Sequence, residues 1–179
     1  MKKVSHLRLR FLDEAGATTV LTRLYARAIG GARTTESVPR NYGASTSMIA
    51  TIGINGVQAM MTIEGSVDTV VFNEYCKQVL RPTLKAGDVI VLDNLGAHRA
   101  SRIEEIAATC GAQVIWLPPY SPDFSPIELM WSKVKTYLKK AKARTQEELE
   151  KAIALALKTV TKSDCLNWFG HCGYQVTSN

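Results

Sequence analysis

Hydrophobic and polar positions change period several times along this chain, and each change predicts an element. "HLRLRFLD", residues 6–13, alternates and then runs apolar, which predicts a strand ending at Asp13. "TSMIATIGI" (46–54) and "VQAMMTI" (57–63) flank Asn55-Gly56, the strongest short hairpin signal, so two antiparallel strands are expected there. In "DTVVFNEYCKQVLR" (68–81), Val71, Tyr75, Val79 and Leu80 share a helical face, and Pro82 ends it. "DVIVLD" (88–93) is short and almost wholly apolar, as a strand covered on both faces should be. A helix over about 99–109, a second buried strand in "QVIWL" (113–117), and two helices over 126–141 and 146–160 complete the order. Residues 14–45 are less regular: a short helix is possible in "TVLTRLYARA" (19–28), followed by a loop rich in Gly, Thr and Arg. Thirty-odd residues of weak structure in a compact domain are unusual, and such loops are often functional.

The order is strand, hairpin, helix, strand, helix, strand, helix, helix. Strands alternating with helices in the second half predict parallel pairing, so the expected fold is α/β, a mixed sheet flanked by helices. Residues 1–179 read as one domain. Open sheets of this kind place their sites at the carboxyl ends of strands. Asp13 and Asp93 each follow an apolar run and stand at such ends.

If the first and fourth strands are neighbours, Asp13 and Asp93 converge at one rim. Two carboxylates that close repel unless a cation lies between them. Ligands that are all oxygen suit Mg²⁺ or Mn²⁺, and a pair of such ions is the usual clamp for phosphodiester displacement. An aspartate after a strand is also a common turn or cap residue. Glu14 falls on the opposite face of the strand and is a weaker candidate. The third ligand is expected to be Glu128. Ser125-Pro126-Ile127-Glu128 reads as a helix start, and it is also a capping box in which Glu128 would reach back to the Ser125 amide. A capping box does not need Pro118, Pro119 and Pro122 upstream, whereas a rigidly placed ligand does. Asp123 is the loop alternative.

Charge and composition narrow the class. The chain is 46% hydrophobic and 21% charged, as globular domains are, and carries a net charge of +6. That excess favours an anionic partner, nucleic acid above all. Arg23, Arg27, Arg33 and Arg40 lie in the long insert with only Glu36 opposing them, and they are candidate clamps on a DNA backbone or ordinary loop charge. Ile127, Trp131, Val134 and Leu138 form a core stripe, while Lys133 and Lys135 belong to a basic flank that either is solvated or follows DNA. No run of about 18 apolar residues crosses a membrane, and the N-terminus has no apolar signal region. Cys76, Cys110, Cys165 and Cys172 form no C-x-x-C pair and read as free thiols in a cytoplasmic protein.

"VLDNLGAH" (91–98) followed by "LPPYSPDFSPIELMW" (117–131) resembles the catalytic domain of mariner-type DDE transposases, and more closely their bacterial insertion-sequence relatives. Thirty-four residues separate Asp93 from Glu128, the spacing of that superfamily's acidic triad. "FLDEAG" (11–16) and "PRNYGASTSMIATIG" (39–53) are similar to its first-aspartate and second-strand regions, so the likeness covers roughly 8–174. The resemblance implies a ribonuclease-H-like fold. It also implies Asp13, Asp93 and Glu128 as ligands of two Mg²⁺ or Mn²⁺ ions, with Asn94 and His98 as supporting neighbours. The implied reaction is hydrolysis at transposon ends in double-stranded DNA, then transfer of the freed 3′-hydroxyl into target DNA by a homodimer near the bacterial nucleoid. Ser125 stands where the family usually has Asn; both residues cap helices. Only twelve residues precede Asp13, so either the helix-turn-helix domain that reads element ends is expected on another polypeptide or a frameshifted upstream reading frame, or this chain is a fragment or relic. Two rival readings remain open: an inactive DNA-binding remnant, and a host nuclease acting on RNA–DNA hybrids.

Overall fold

The computed structural model describes all residues except 1–4, 24, 36, 40–42, 44, 95–101, 120 and 175–179. Its centre is one five-stranded sheet. β1 (Leu9–Thr18), β2 (Ser45–Gly53) and β3 (Gly56–Glu64) are followed by β4 (Val89–Leu92) and β5 (Gln113–Trp116). Their spatial order is β3-β2-β1-β4-β5. β1, β2 and β3 pair antiparallel, whereas β4 runs parallel to β1 and β5 parallel to β4. The expected mixed sheet is therefore present. At the hairpin, Gly56 takes φ 121°, a conformation a side chain disfavours, which explains the Asn-Gly pair.

Helices cover both faces. On one lie α3 (Pro126–Ala141), α4 (Gln146–Lys158) and α5 (Lys162–His171). Their Ile127, Trp131, Val134, Leu138, Leu149, Ile153 and Phe169 pack against Leu9, Phe11, Val89 and Val91 of the sheet. On the other lie α1 (Thr69–Glu74), a π turn continuing it over Tyr75–Leu80, and α2 (Ile103–Thr109). There Phe72, Tyr75, Leu80, Ile103 and Ile106 meet Leu12, Ile49, Ile90 and Leu92. Alternate residues of each strand thus feed different cores, as the period of two requires.

Four elements differ from the sequence reading. β1 does not end at Asp13 but runs to Thr18, because it stays paired with β2 as far as Thr18↔Ser45. Its second half, Glu14-Ala15-Gly16-Ala17, lacks the bulky residues that mark strands. β5 is an edge strand rather than a buried one, with only β4 beside it and Ile115 45% exposed. None of the described residues in 19–28 is helical. Tyr25 there is 90% exposed, so a short helix would have no core against which to bury its face. Finally, a third C-terminal helix, α5, opens on a capping box of Thr161 and Asp164. Aspartate replaces the usual Glu or Gln of that motif, which hid the signal.

Candidate active site

Pairing between β1 and β4 matches Leu9 with Val89, Arg10 with Ile90 and Phe11 with Val91. Carried two residues further, the same register sets Asp13 level with Asp93. Asp13 also shares the alternation of Leu9 and Phe11, and Asp93 that of Val89 and Val91, so both sit on the α3 side of the sheet. The parallel ladder stops before them while β1 continues beside β2, which opens a gap at that rim. The gap is a cleft of about 390 Å³. Asp13, Asp93, Asn94 and Glu128 line it, with Leu12, Leu117, Pro118, Pro119, Ser121, Pro122 and Ser125 forming the rest of its wall.

Glu128 reaches the cleft because of how α3 begins. A 3-10 turn over Pro122–Phe124 carries the chain down to the helix. The Phe124 amide donates to the Ser121 carbonyl at 3.2 Å, and the Tyr174 hydroxyl donates to the Phe124 carbonyl at 2.7 Å. The Ser125 amide donates to the Pro122 carbonyl at 2.9 Å. That amide is the group Glu128 would have to accept in a capping box, and the Ser125 side chain makes no capping bond either. The starts of α4 and α5 behave differently: Thr145 with Glu148 and Thr161 with Asp164 both close reciprocal capping boxes. The proline turn has therefore taken over the N-terminus of α3, and the Glu128 carboxylate faces the cleft. Below it, Ile127, Met130, Val134 and Leu138 are at most 1% exposed. Each such side chain stabilises the docking by roughly 1.5–3 kcal/mol, so the helix that carries Glu128 is firmly seated.

Asp13 has the strongest perturbation in the cleft. Burial pushes its carboxyl up to about 7, and the neighbouring charges of Glu128 and Asp93 push the same way. A hydrogen bond from the Glu14 backbone and one from Trp131 oppose the rise. The Trp131 indole Nε1 donates to Asp13 Oδ2 at 3.1 Å. Sequence reasoning placed Trp131 in the core and missed this contact; the available signal was its position three residues after Glu128, on the same face of α3.

Among the described residues no three His, Cys, Asp or Glu side chains are already drawn together as a metal-binding group. Carboxylates that share a cleft repel one another until a cation joins them. The donor set itself is all oxygen, and the Asn94 Oδ1 beside it is buried with no hydrogen-bond partner. Hard divalent ions such as Mg²⁺ or Mn²⁺ fit these groups, and thiolate-seeking metals do not. The cysteines among the described residues are free thiols, and burial raises Cys76, Cys165 and Cys172.

The other candidates are spread out. His98 and Arg40 lie outside the described residues. Arg27 and Arg33 are exposed in the insert, and Arg23 is exposed beside Lys140 and Lys142 in a separate depression. Arg144 donates to the carbonyls of Thr19 at 2.9 Å and Leu21 at 3.2 Å, tying the root of the insert to the α3–α4 junction. Lys133 is engaged structurally: its ammonium lies 2.6 Å from Asp164 and donates to the Thr159 carbonyl at 2.8 Å. Lys135 is half-exposed.

A five-stranded mixed sheet of this order, flanked by helices on both faces, is ribonuclease-H-like. Residues 8–150 match the family described as DDE superfamily endonuclease, and the chain belongs to it. Among solved structures, the pre-cleavage Mos1 transpososome superposes with a TM-score of 0.75 at 16% identity, over 97% of this chain and 54% of that one. The Mos1 mariner paired-end complex with Mn gives 0.71 at 17% identity, over 97% and 54%. The isolated catalytic domain of Mos1 mariner transposase gives 0.64 at 14% identity, over 97% and 79%. These likenesses show the fold, which is that of a mariner transposase catalytic domain. This chain spans about half the length of the Mos1 chains in those assemblies. No curated protein matches it in sequence. Among the described residues no helix is long and apolar enough to cross a membrane.

Proposed function

We propose that this chain is the catalytic domain of a transposase that cuts DNA phosphodiester bonds at transposon ends and joins the freed 3′-hydroxyl to target DNA. The observation that carries the reading is the meeting of Asp13, Asp93 and Glu128, from two strands and a helix, on the walls of one cleft in a DDE endonuclease fold. Those three carboxylates would hold two Mg²⁺ or Mn²⁺ ions, with the Asn94 amide oxygen as an accessory acceptor. Bound there, the ions activate the attacking water or hydroxyl and stabilise the leaving oxygen. Asp13 and Asp93 supply the negative charge that recruits the ions, and Glu128 closes the site from α3. Leu117, Pro118 and Pro119 form an apolar part of the same wall.

Double-stranded DNA is the substrate in this reading, and the net charge of +6 supports it. Arg23, Arg27, Arg33 and Lys135 are exposed or half-exposed and suited to phosphate contacts. A homodimer working on two ends is supported by the paired-end architecture of the Mos1 complexes. The workplace in this reading is the bacterial nucleoid. The decisive assay is nicking of a supercoiled plasmid carrying candidate element ends, with Mg²⁺ or Mn²⁺. Asp13→Ala, Asp93→Ala and Glu128→Gln should each abolish it. Nicking that survives all three substitutions, or a wild-type protein inactive with both ions, would overturn the proposal.

A further inference from the structure

The bond between Trp131 and Asp13 joins residues 118 positions apart, across the contact of α3 with β1. A buried indole usually finds some acceptor, so its existence alone says little. The group it donates to is informative. The acceptor is a carboxylate oxygen lining the cleft, and the donor lies one helical turn after another carboxylate lining the same cleft. Trp131 is 2% exposed and packed among Ile127, Met130 and Val134, so its N–H cannot swing away. An ammonium or guanidinium in its place would neutralise Asp13 and compete with any divalent ion. The indole is a donor only, uncharged and unable to ligate a cation. It can fix the plane of the carboxylate, engage Oδ2 and leave both the charge and the second oxygen available.

From this arrangement we infer that Trp131 is a positioning residue: its indole N–H aims Asp13 into the cation site and ties the helix bearing Glu128 to the strand bearing Asp13. The inference rests on the divalent-ion nuclease reading above. Groups that orient a ligand in this way typically change metal affinity ten- to a hundredfold when removed.

The test is Mn²⁺ binding by titration calorimetry, with scanning calorimetry in EDTA to follow the fold. Trp131→Phe removes the N–H. Benzothienylalanine incorporated at position 131 removes it while keeping the shape of the bicyclic ring, and it decides the matter if the Phe variant is poorly folded. The expected result is tenfold or more weaker Mn²⁺ binding with an unchanged melting temperature for the isostere. In an Asp13→Ala background, which leaves the indole no acceptor at position 13, the same replacement should change Mn²⁺ affinity no further. Wild-type affinity in the isosteric variant, or an equal loss in the Asp13→Ala background, overturns the positioning role and leaves the nuclease reading intact. Absence of Mn²⁺ binding by the wild-type protein sinks both.

Discussion

Replacing Glu128 by Gln separates a helix cap from a metal ligand, because it keeps shape and helix propensity and removes only charge. Without a cation, two effects of opposite sign follow. Losing an acidic side chain from the first turn of α3 weakens its interaction with the helix dipole by about 0.3–1 kcal/mol. Relieving the repulsion with Asp13 and Asp93 in a water-accessible cleft returns on the order of 1 kcal/mol. No capping bond is lost, since the Ser125 amide donates to Pro122 instead. The net change should stay within about 1 kcal/mol, or about 2–4 °C in melting temperature for a chain of this size. With a cation the outcome differs. At a Mn²⁺ concentration of about 100 times Kd, binding stabilises the wild type by about 2.7 kcal/mol, and a tenfold weaker site loses about 1.4 kcal/mol of that. Glu128→Gln should therefore melt like wild type in EDTA, show a visibly smaller Mn²⁺-induced shift in scanning calorimetry, and lose nicking by orders of magnitude. Glu148→Ala is the internal control, because Glu148 does accept from the Arg144 and Thr145 amides and alanine offers them no acceptor. It should lower the melting temperature and keep the full Mn²⁺ shift. If Glu128→Gln instead mimics this control, with a lowered melting temperature and an intact Mn²⁺ response, Glu128 is a structural residue and the reasoning fails.

Asp13 sets a pH dependence: its folded value of about 7 lies above the usual carboxylate value of about 3.9, so the folded state holds the extra proton between them. The cation-free protein should lose stability as pH rises from about 4 to about 7, an effect that Asp13→Asn abolishes, and calorimetry across that range checks it. Lys133 and Lys135 should part ways in duplex-binding titrations at several salt concentrations. Lys135→Ala weakens binding and lowers the salt slope by about one, whereas Lys133→Met, which removes the Asp164 partner, lowers stability and leaves the slope alone; equal slopes for both variants would count against this division. At the opposite end of the sheet, buried Asp88 pairs with buried Arg10 at 2.8 Å, and Asp88→Asn should destabilise by about 3–5 kcal/mol in denaturant titrations. A change below about 1 kcal/mol would mean that the pair is solvated.

Local signals carried much of this structure. The α3 boundaries follow from Pro126 at the first turn and from the apolar stripe, and they match the predicted 126–141. The hairpin follows from Asn55-Gly56. Failures occurred where the local signal is weak or shared. The second half of β1 is built of small residues, and β5 has the composition of a central strand but no neighbour on one side. Ser125 to Glu128 reads as a cap in sequence, and only the fold of the proline turn shows that the amide is already satisfied.

From its sequence alone, this protein declares which segments are strands and helices, where α3 starts, and which three acids are candidates, because these depend on residues within a turn or two of one another. The tertiary structure decides that β1 lies beside β4, that Asp13 and Asp93 line one cleft, that Glu128 is released from capping, and that an indole holds Asp13. The strand pairing and the indole bond span about eighty residues or more, and they are selected by the burial of two apolar faces of a single sheet, a condition that no short stretch of chain can express.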